Sequence, residues 1–162
     1  MKKLSTLFSM LLCLAYGFSQ GPWDNDLKIA FSNDGTTWST PSLLLDSTDV
    51  PSIALLDDGT LIASFQYFKG YPQGKVAVMT SSDNGVSWST PTLANFINQP
   101  SGLFKPVDPT IVNLGGGQTR MYFSIGENMI TDSTLDVFSA TSSDGLNFTF
   151  DSSVAAWNDT IE

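Results

Sequence analysis

SSDNGVSWSTP, residues 81–91, is written three times in this chain with small changes. It stands earlier as FSNDGTTWSTP (31–41) and later as SSDGLNFTF (142–150). The shared positions are Ser81, Asp83, Gly85 and Trp88; then Ser32, Asp34, Gly35 and Trp38; then Ser142, Asp144, Gly145 and Phe148. Each residue type has a local job. A Ser hydroxyl and an Asp carboxylate reach backbone amides two or three residues on, which fixes a turn. Gly supplies a left-handed backbone without a Cβ penalty. The aromatic opens the following strand and is expected to pack beneath the turn, burying a large apolar area. The phrase therefore reads as a structural joint and not as chemistry.

The three aspartates, at 34, 83 and 144, lie 49 and 61 residues apart. Helical periodicity is nearly absent. Ser, Thr, Val, Ile, Phe and Trp runs are cut by Gly, Pro, Asn and Asp every eight to twelve residues, the pattern of many short strands. The runs repeat in register. VPSIALLDD (50–58), GTLIASFQYF (59–68) and GKVAVMTSS (74–82) precede the second phrase, and WSTPTLA (88–94) follows it. VDPTIVNL (107–114), QTRMYFSIG (118–126) and LDVFSATSS (135–143) precede the third, and NFTFDSSV (147–154) follows it. Asp58-Gly59 and Gly115-Gly116-Gly117 mark the same hairpin turn in the two units. Four strands per unit at this period predict β-propeller blades. LKIAFS (27–32) and WSTPSLLL (38–45) make half a blade around the first phrase. The expectation is an all-β, partial propeller of about two and a half blades, the N-terminal piece of a longer protein. A small sandwich of ten strands is the alternative architecture.

Residues 1–19 read as a secretory signal. Lys2 and Lys3 precede an apolar run from Leu7 to Tyr16, with cleavage expected near Ser19–Gln20. The run is short for a membrane span, which needs ~20 apolar residues. The propeller blades then occupy 20–162, with no membrane span expected in that part, and the location is secreted, periplasmic or cell-surface. Beyond the leader the basic residues are Lys28, Lys69, Lys75, Lys105 and Arg120, against 16 acidic ones. Such a surface repels phosphate backbones, so nucleic acid is excluded as a partner. Cys13 is the only cysteine and leaves with the leader. The chain has no histidine. That removes Ser-His-Asp and Cys-His systems, HExxH zinc sites and histidine proton shuttles together. No metal or other cofactor is expected, because the 14 aspartates form no D-x-D-x-D-G loop. Carboxylates remain as the main acid–base groups.

The repeated phrase resembles the Asp box, or BNR repeat, of the sialidase-like β-propellers. VPSIALLDDGTLIASFQYF (50–68) followed by KVAVMTSSDNGVSWSTP (75–91) resembles a sialidase blade, in which an Arg-Ile-Pro segment leads into a "dGtLlA" hairpin, a strand and a box. The resemblance covers most of the chain beyond the leader. It implies a glycan or glycoconjugate partner and glycoside hydrolysis by the whole protein. It also implies that the boxes lie at the outer rim, away from the active centre.

The departures are specific. The sialidase arginine that grips the substrate carboxylate stands here as Asp49, ahead of Val50-Pro51. The hairpin loop KGYPQGK (69–75) carries no carboxylate for the family's acid/base aspartate. The Tyr/Glu nucleophile pair belongs to later blades, beyond this chain. Asp49-Val50-Pro51 and Asp108-Pro109 each open the first strand of a blade, which lines a propeller's channel. In this they resemble the five-bladed glycosidases of arabinan, xylan or fructan, which implies Asp49 and Asp108 as the base and a second carboxylate, with Glu127 as the third. Tyr67 and Tyr71, with Phe68, form an aromatic cluster at the same channel end, suited to stacking on sugar rings. Arg120 is the one arginine and a candidate substrate contact. A non-catalytic carbohydrate- or protein-binding propeller is the reading from a different class. A third is a purely structural piece whose open strand edges seek partners.

Overall fold

The computed structural model describes residues 21–71, 73–125 and 136–153. The leader, Glu127 and Val154, the last residue of the final predicted strand, lie outside them. The described chain is all-β apart from one turn of 3-10 helix at Pro22–Asp24. Its eleven strands are β1 (Leu27–Ile29), β2 (Ser42–Leu45), β3 (Thr48–Leu55), β4 (Leu61–Tyr67), β5 (Lys75–Ser81), β6 (Thr92–Leu93), β7 (Asn95–Ile97), β8 (Val107–Gly115), β9 (Gln118–Ile125), β10 (Asp136–Ser142) and β11 (Asn147–Phe150).

They form three sheets. β1 and β2 pair alone; β3-β4-β5-β6 make a four-stranded antiparallel blade; and β8-β9-β10-β11 make a second, extended to five strands by β7. This is a partial β-propeller, two and a half blades long among the described residues. Among the described residues the sheets do not close into a ring. The half blade is the expected one. Strand β7 was not expected: it leaves the first full blade just after β6 and runs parallel to β11, on the outer edge of the second.

The outer strands are shorter than the sequence suggested. Residues 38–41 and 88–91 are not strand, and β2 and β6 begin only after Pro41 and Pro91. Proline has no N–H to give to a ladder. A serine bridges the gap in each case. Ser39 donates its backbone N–H to Phe31 O (2.8 Å) and accepts the Phe31 N–H on its hydroxyl oxygen (2.9 Å). Ser89 does the same with Thr80, at 2.8 and 3.0 Å. The third phrase has no proline, and its strand starts at once, at Asn147.

Two cores lie between the sheets. On one face of β4 and β5, Ile62, Val76 and Val78 meet Ile111, Met121, Phe123, Phe138, Phe148 and Phe150 of the second blade. On the other face, Ala63, Phe65, Ala77 and Met79 meet Leu27, Leu44 and Leu45 of the half blade. The strict alternation along β4 and β5 places apolar side chains on both faces of one sheet, as an interior blade requires. At ~25 cal/mol per Å² of apolar area buried, these two cores are the main stabilising contacts between blades.

Candidate functional site

The three repeated turns are built alike. In each, the Ser hydroxyl donates to the Asp Oδ1, at 3.1, 2.8 and 2.9 Å for Ser32, Ser81 and Ser142. The same Ser Oγ accepts the N–H of Gly35, Gly85 or Gly145. Asp34 Oδ1 then accepts the amides of Thr36 and Thr37, and Asp144 Oδ1 those of Leu146 and Asn147. Asp83 accepts both the amide and the hydroxyl of Ser87. These donors favour the charged carboxylate. Backbone amides hold Asp34 and Asp144 far below the usual aspartate range, and Ser87 pulls Asp83 down to about 2. The carboxylates are saturated by their own turns.

The aromatic position does not behave uniformly. Phe148 is fully buried, Trp88 is half-buried with its indole N–H on Gly85 O at 3.0 Å, and Trp38 is 60% exposed. Trp38 therefore corrects the expectation that each aromatic packs beneath its turn. Phe148 has a neighbouring blade to enter. Trp38 lies in the connection between the two strands of the half blade and has no such cover among the described residues.

Register places these turns away from the predicted catalytic pair. Along β4, Leu61 lies opposite Leu55 and Ser81, whereas Tyr67 lies opposite Thr48 and Lys75. The second phrase is thus at the Leu61 end, and the start of β3 is at the Tyr67 end, about 20 Å away at ~3.3 Å per residue. In the second blade Thr119 lies opposite Ser142 and Asn113, and Ser124 lies opposite Val107. The beginnings of β3 and β8 therefore share the end opposite the turns.

Both beginnings are bulged. The ladder skips between Asp49 and Ser52, and again between Val107 and Thr110. Val50 (φ 49°) and Asp108 (φ 53°) are left-handed, and each immediately precedes a proline. A β-branched residue in this region is a genuine outlier, and such strain concentrates at functional sites. Counted from the bulges, Asp108 matches Val50 and not Asp49, so the two aspartates are offset by one residue. They nevertheless come together. Strands β3 and β8 lie side by side, with the Ile111 N–H donated to Ser52 Oγ at 3.1 Å and Asn113 Nδ2 donated to Leu55 O at 3.0 Å. Partial desolvation pushes the Asp108 carboxyl above its ordinary value, and the nearby charge of Asp49 pushes it further. Asp49 Oδ1 accepts the Val50 amide at 2.9 Å.

Aromatic side chains gather at this end. The Tyr67 and Tyr71 rings are 6.4 Å apart, and Tyr67 meets Phe65 edge-on at 6.0 Å. Tyr71, Phe68, Gly70 and Trp23 line an open recess of about 500 Å³. The loop beneath them is held tightly. Tyr71 donates its amide to Phe68 O, and Gly74 donates to Tyr71 O. A Cβ on Gly74 would lie 2.7 Å from Phe68 and 2.8 Å from Gln66, so that position requires glycine for space as well as for its φ of +66°. Lys105, from the second blade, donates to the carbonyl oxygens of Gln73 and Gly74.

The structure thus brings Asp49, Asp108, Tyr67 and Tyr71 to one end. It does not bring Arg120 there. Arg120 lies opposite Val112 and Thr141, nearer the turn end of β9, and its Nε pairs with Asp151 at 3.0 Å. Ser139 and Thr141 also donate to Asp151, so the guanidinium belongs to a polar network on the outer face of the second blade. Glu127 lies outside the described residues. Trp23, Lys75 and Lys105 were missed. No motif marks them, but Lys75 ends the carboxylate-free loop 69–75 and Lys105 stands three residues before Asp108.

The sequence matches no protein-family model and no curated protein. Solved structures do match in fold. A family 117 glycoside hydrolase produced by the marine bacterium Zobellia galactanivorans is 18% identical with a TM-score of 0.62, over 81% of this chain and 42% of that one. A putative glycoside hydrolase from Parabacteroides distasonis is 21% identical with a TM-score of 0.55, over 82% of this chain and 43% of that one. A Hadza microbial sialidase is 16% identical with a TM-score of 0.54, over 77% of this chain and 30% of that one. The chain spans less than half the length of each. At these identities the likeness is one of fold.

Proposed function

We propose that this chain belongs to an exported glycoside hydrolase of the propeller type, in which Asp49 and Asp108 act on the glycosidic bond. One observation carries the reading. Two carboxylates from the innermost strands of adjacent blades meet at the end opposite the repeated turns, each at a strained bulge, and one has its pKa raised by burial and by the other. Glycoside hydrolysis needs two carboxyl groups in different protonation states. Asp108, which keeps its proton to higher pH than an ordinary aspartate, suits the proton donor. Asp49, which accepts an amide, suits the carboxylate that acts as base or stabilises positive charge on the sugar. Glu127 is the candidate third carboxylate. The fold shared with glycoside hydrolases, the leader-like residues 1–19 and the absence of histidine support the same reading. Asp49 in place of the sialidase arginine favours a carboxylate mechanism over the arginine grip on a sialic acid. The three saturated turns are read as Asp boxes with a structural role.

Turnover of a panel of aryl glycosides and oligosaccharides tests this. Asp49→Asn and Asp108→Asn are each expected to lower kcat by about a hundredfold or more, the scale of lost general acid–base catalysis, with unfolding still cooperative and at no lower a temperature. Wild-type turnover in both variants would remove the pair from the chemistry. Retained glycan binding without any hydrolysis by the wild-type protein would make this a binding propeller.

A further inference from the structure

Lys75 and Lys105 converge on a recess of about 330 Å³ lined by Gly70, Tyr71, Gln73 and Gly74. The setting is unusual in a chain with 16 acidic residues and seven basic ones. Lys69 pairs with Asp46 at 3.2 Å and Arg120 pairs with Asp151. Among the described residues, no carboxylate pairs with Lys75 or Lys105. Both side chains instead line the one recess, near enough for the charge of Lys75 to act on Lys105. Partial burial, and then the charge of Lys75, hold the Lys105 pKa below its usual value. Two like charges set together without a counter-ion raise the energy of the empty recess, and an anion lying between them lowers it.

The recess is preorganised for a ligand. The Lys105 ammonium is fixed on Gly74 O at 2.6 Å and on Gln73 O, and the Lys75 ammonium stands 4.8 Å from the Tyr71 ring centroid. Tyr71 and Gly70 are shared with the neighbouring aromatic recess of Trp23 and Phe68. An apolar ring face thus adjoins a cationic edge, at the strand end that carries Asp49 and Asp108. A sugar stacked on an aromatic side chain presents its ring substituents sideways, toward such an edge.

We infer that the Lys75–Lys105 recess is a subsite for a sugar residue bearing an anionic substituent, carboxylate or sulfate, with Tyr71 and Trp23 stacking on the ring. This rests on the glycan reading above and narrows it to acidic glycans.

Calorimetric titration of the whole protein with three trisaccharides of matched length tests the subsite: a galacturonate, a sulfated galactose and an uncharged galactose oligomer. At low salt, at least one acidic ligand is expected to bind about tenfold or more tighter than the neutral one, and the stronger of the two identifies the anion. Lys75→Gln should shrink that preference and Lys75→Glu should abolish it. Lys75 is exposed, so both variants should keep the wild-type melting transition; Lys105→Met is the second variant, with loop integrity checked by the same melt. Equal affinity for all three ligands, or a preference that survives Lys75→Glu, overturns the subsite. Equal affinity leaves the hydrolase reading intact, because that reading stands or falls on turnover in the Asp49 and Asp108 variants.

Discussion

Val50 and Asp108 hold the left-handed backbone at +49° and +53°, each directly before a proline at a bulge. For a non-glycine residue this geometry costs about 1–2 kcal/mol, and the flanking pairings of both inner strands enforce it. The Asp108 carboxyl carries a second burden, since its pKa is raised in the fold. The sign follows from linkage. A raised folded-state pKa gives stability that is complete below the unfolded value, ~3.9 for aspartate, and lost as pH rises through the folded value. Above the unfolded value the raised pKa of Asp108 therefore weakens the fold. Asp108→Asn should raise the urea midpoint at pH 7 and leave it nearly unchanged at pH 3, against the loss of ~1 kcal/mol that an average substitution brings. A lower midpoint at pH 7 would mean that the carboxylate is stabilised where it stands. The turn aspartates work the other way. Asp83, held at about 2 by Ser87 and Ser81, contributes stability present above the ordinary aspartate value and lost as pH falls toward 2. One residue type thus acts with opposite signs at the two ends of the blades: hydroxyl and amide donors stabilise the charge of Asp83, whereas burial and the charge of Asp49 oppose that of Asp108.

At the level of the element, the repeated turn separates what is local from what is not. Its hydrogen bonds lie within seven or eight residues, from Ser32 to Trp38 and from Ser81 to Trp88, and the turn was legible in the sequence for that reason. The fate of its aromatic was not, because burial depends on which sheet comes next. Phe148 enters the core between the two full blades beside Phe96 and Phe150, with the Phe96 and Phe148 rings 6.1 Å apart. Trp38 faces outward. Phe148→Ala should cost about 3–5 kcal/mol of unfolding free energy, as other buried Phe truncations do. Trp38→Ala should stay within about 0.5 kcal/mol, as exposed substitutions do. Urea unfolding of the two variants checks this, and equal losses would show that Trp38 has cover of its own. The shortened outer strands were legible in part. Pro41 and Pro91 carry the signal of a break although strands were expected to run through both, and the Ser39 and Ser89 bridges across it depend on the facing strand.

Across the whole molecule, periodicity set the order and number of the antiparallel strands, because each blade is made of near neighbours joined by tight turns. What escaped the sequence is whatever crosses between blades. Strand β7 joins the second blade through a parallel pairing, 52 residues along the chain, of Asn95 with Asn147. Lys105 reaches back to the loop of the first blade, and Asp49 comes beside Asp108 only because β3 and β8 pack together. Within the second blade, the pairing of Arg120 on β9 with Asp151, just past the end of β11, reaches across β10, which spacing alone does not show. This division between local and crossing contacts also fixes how stability is spread. Strands β4, β5, β9 and β10 are interior to their sheets, and the core between the two full blades joins eleven buried apolar residues. Strands β1 and β2 are three and four residues long, pair only with one another, and leave Leu43 61% exposed. Short, half-covered pairings open at lower free energy than the global unfolding step. Hydrogen exchange read by mass spectrometry should therefore show β1–β2 amides exchanging about a hundredfold faster than those of β9 and β10, a gap of ~2.7 kcal/mol at RT of 0.59 kcal/mol. The β4 and β5 amides should follow β9 and β10, since the larger core ties them together. Uniform protection from β1 to β11 would contradict this picture and require the half blade to be locked to the first full blade as firmly as the two full blades are to each other.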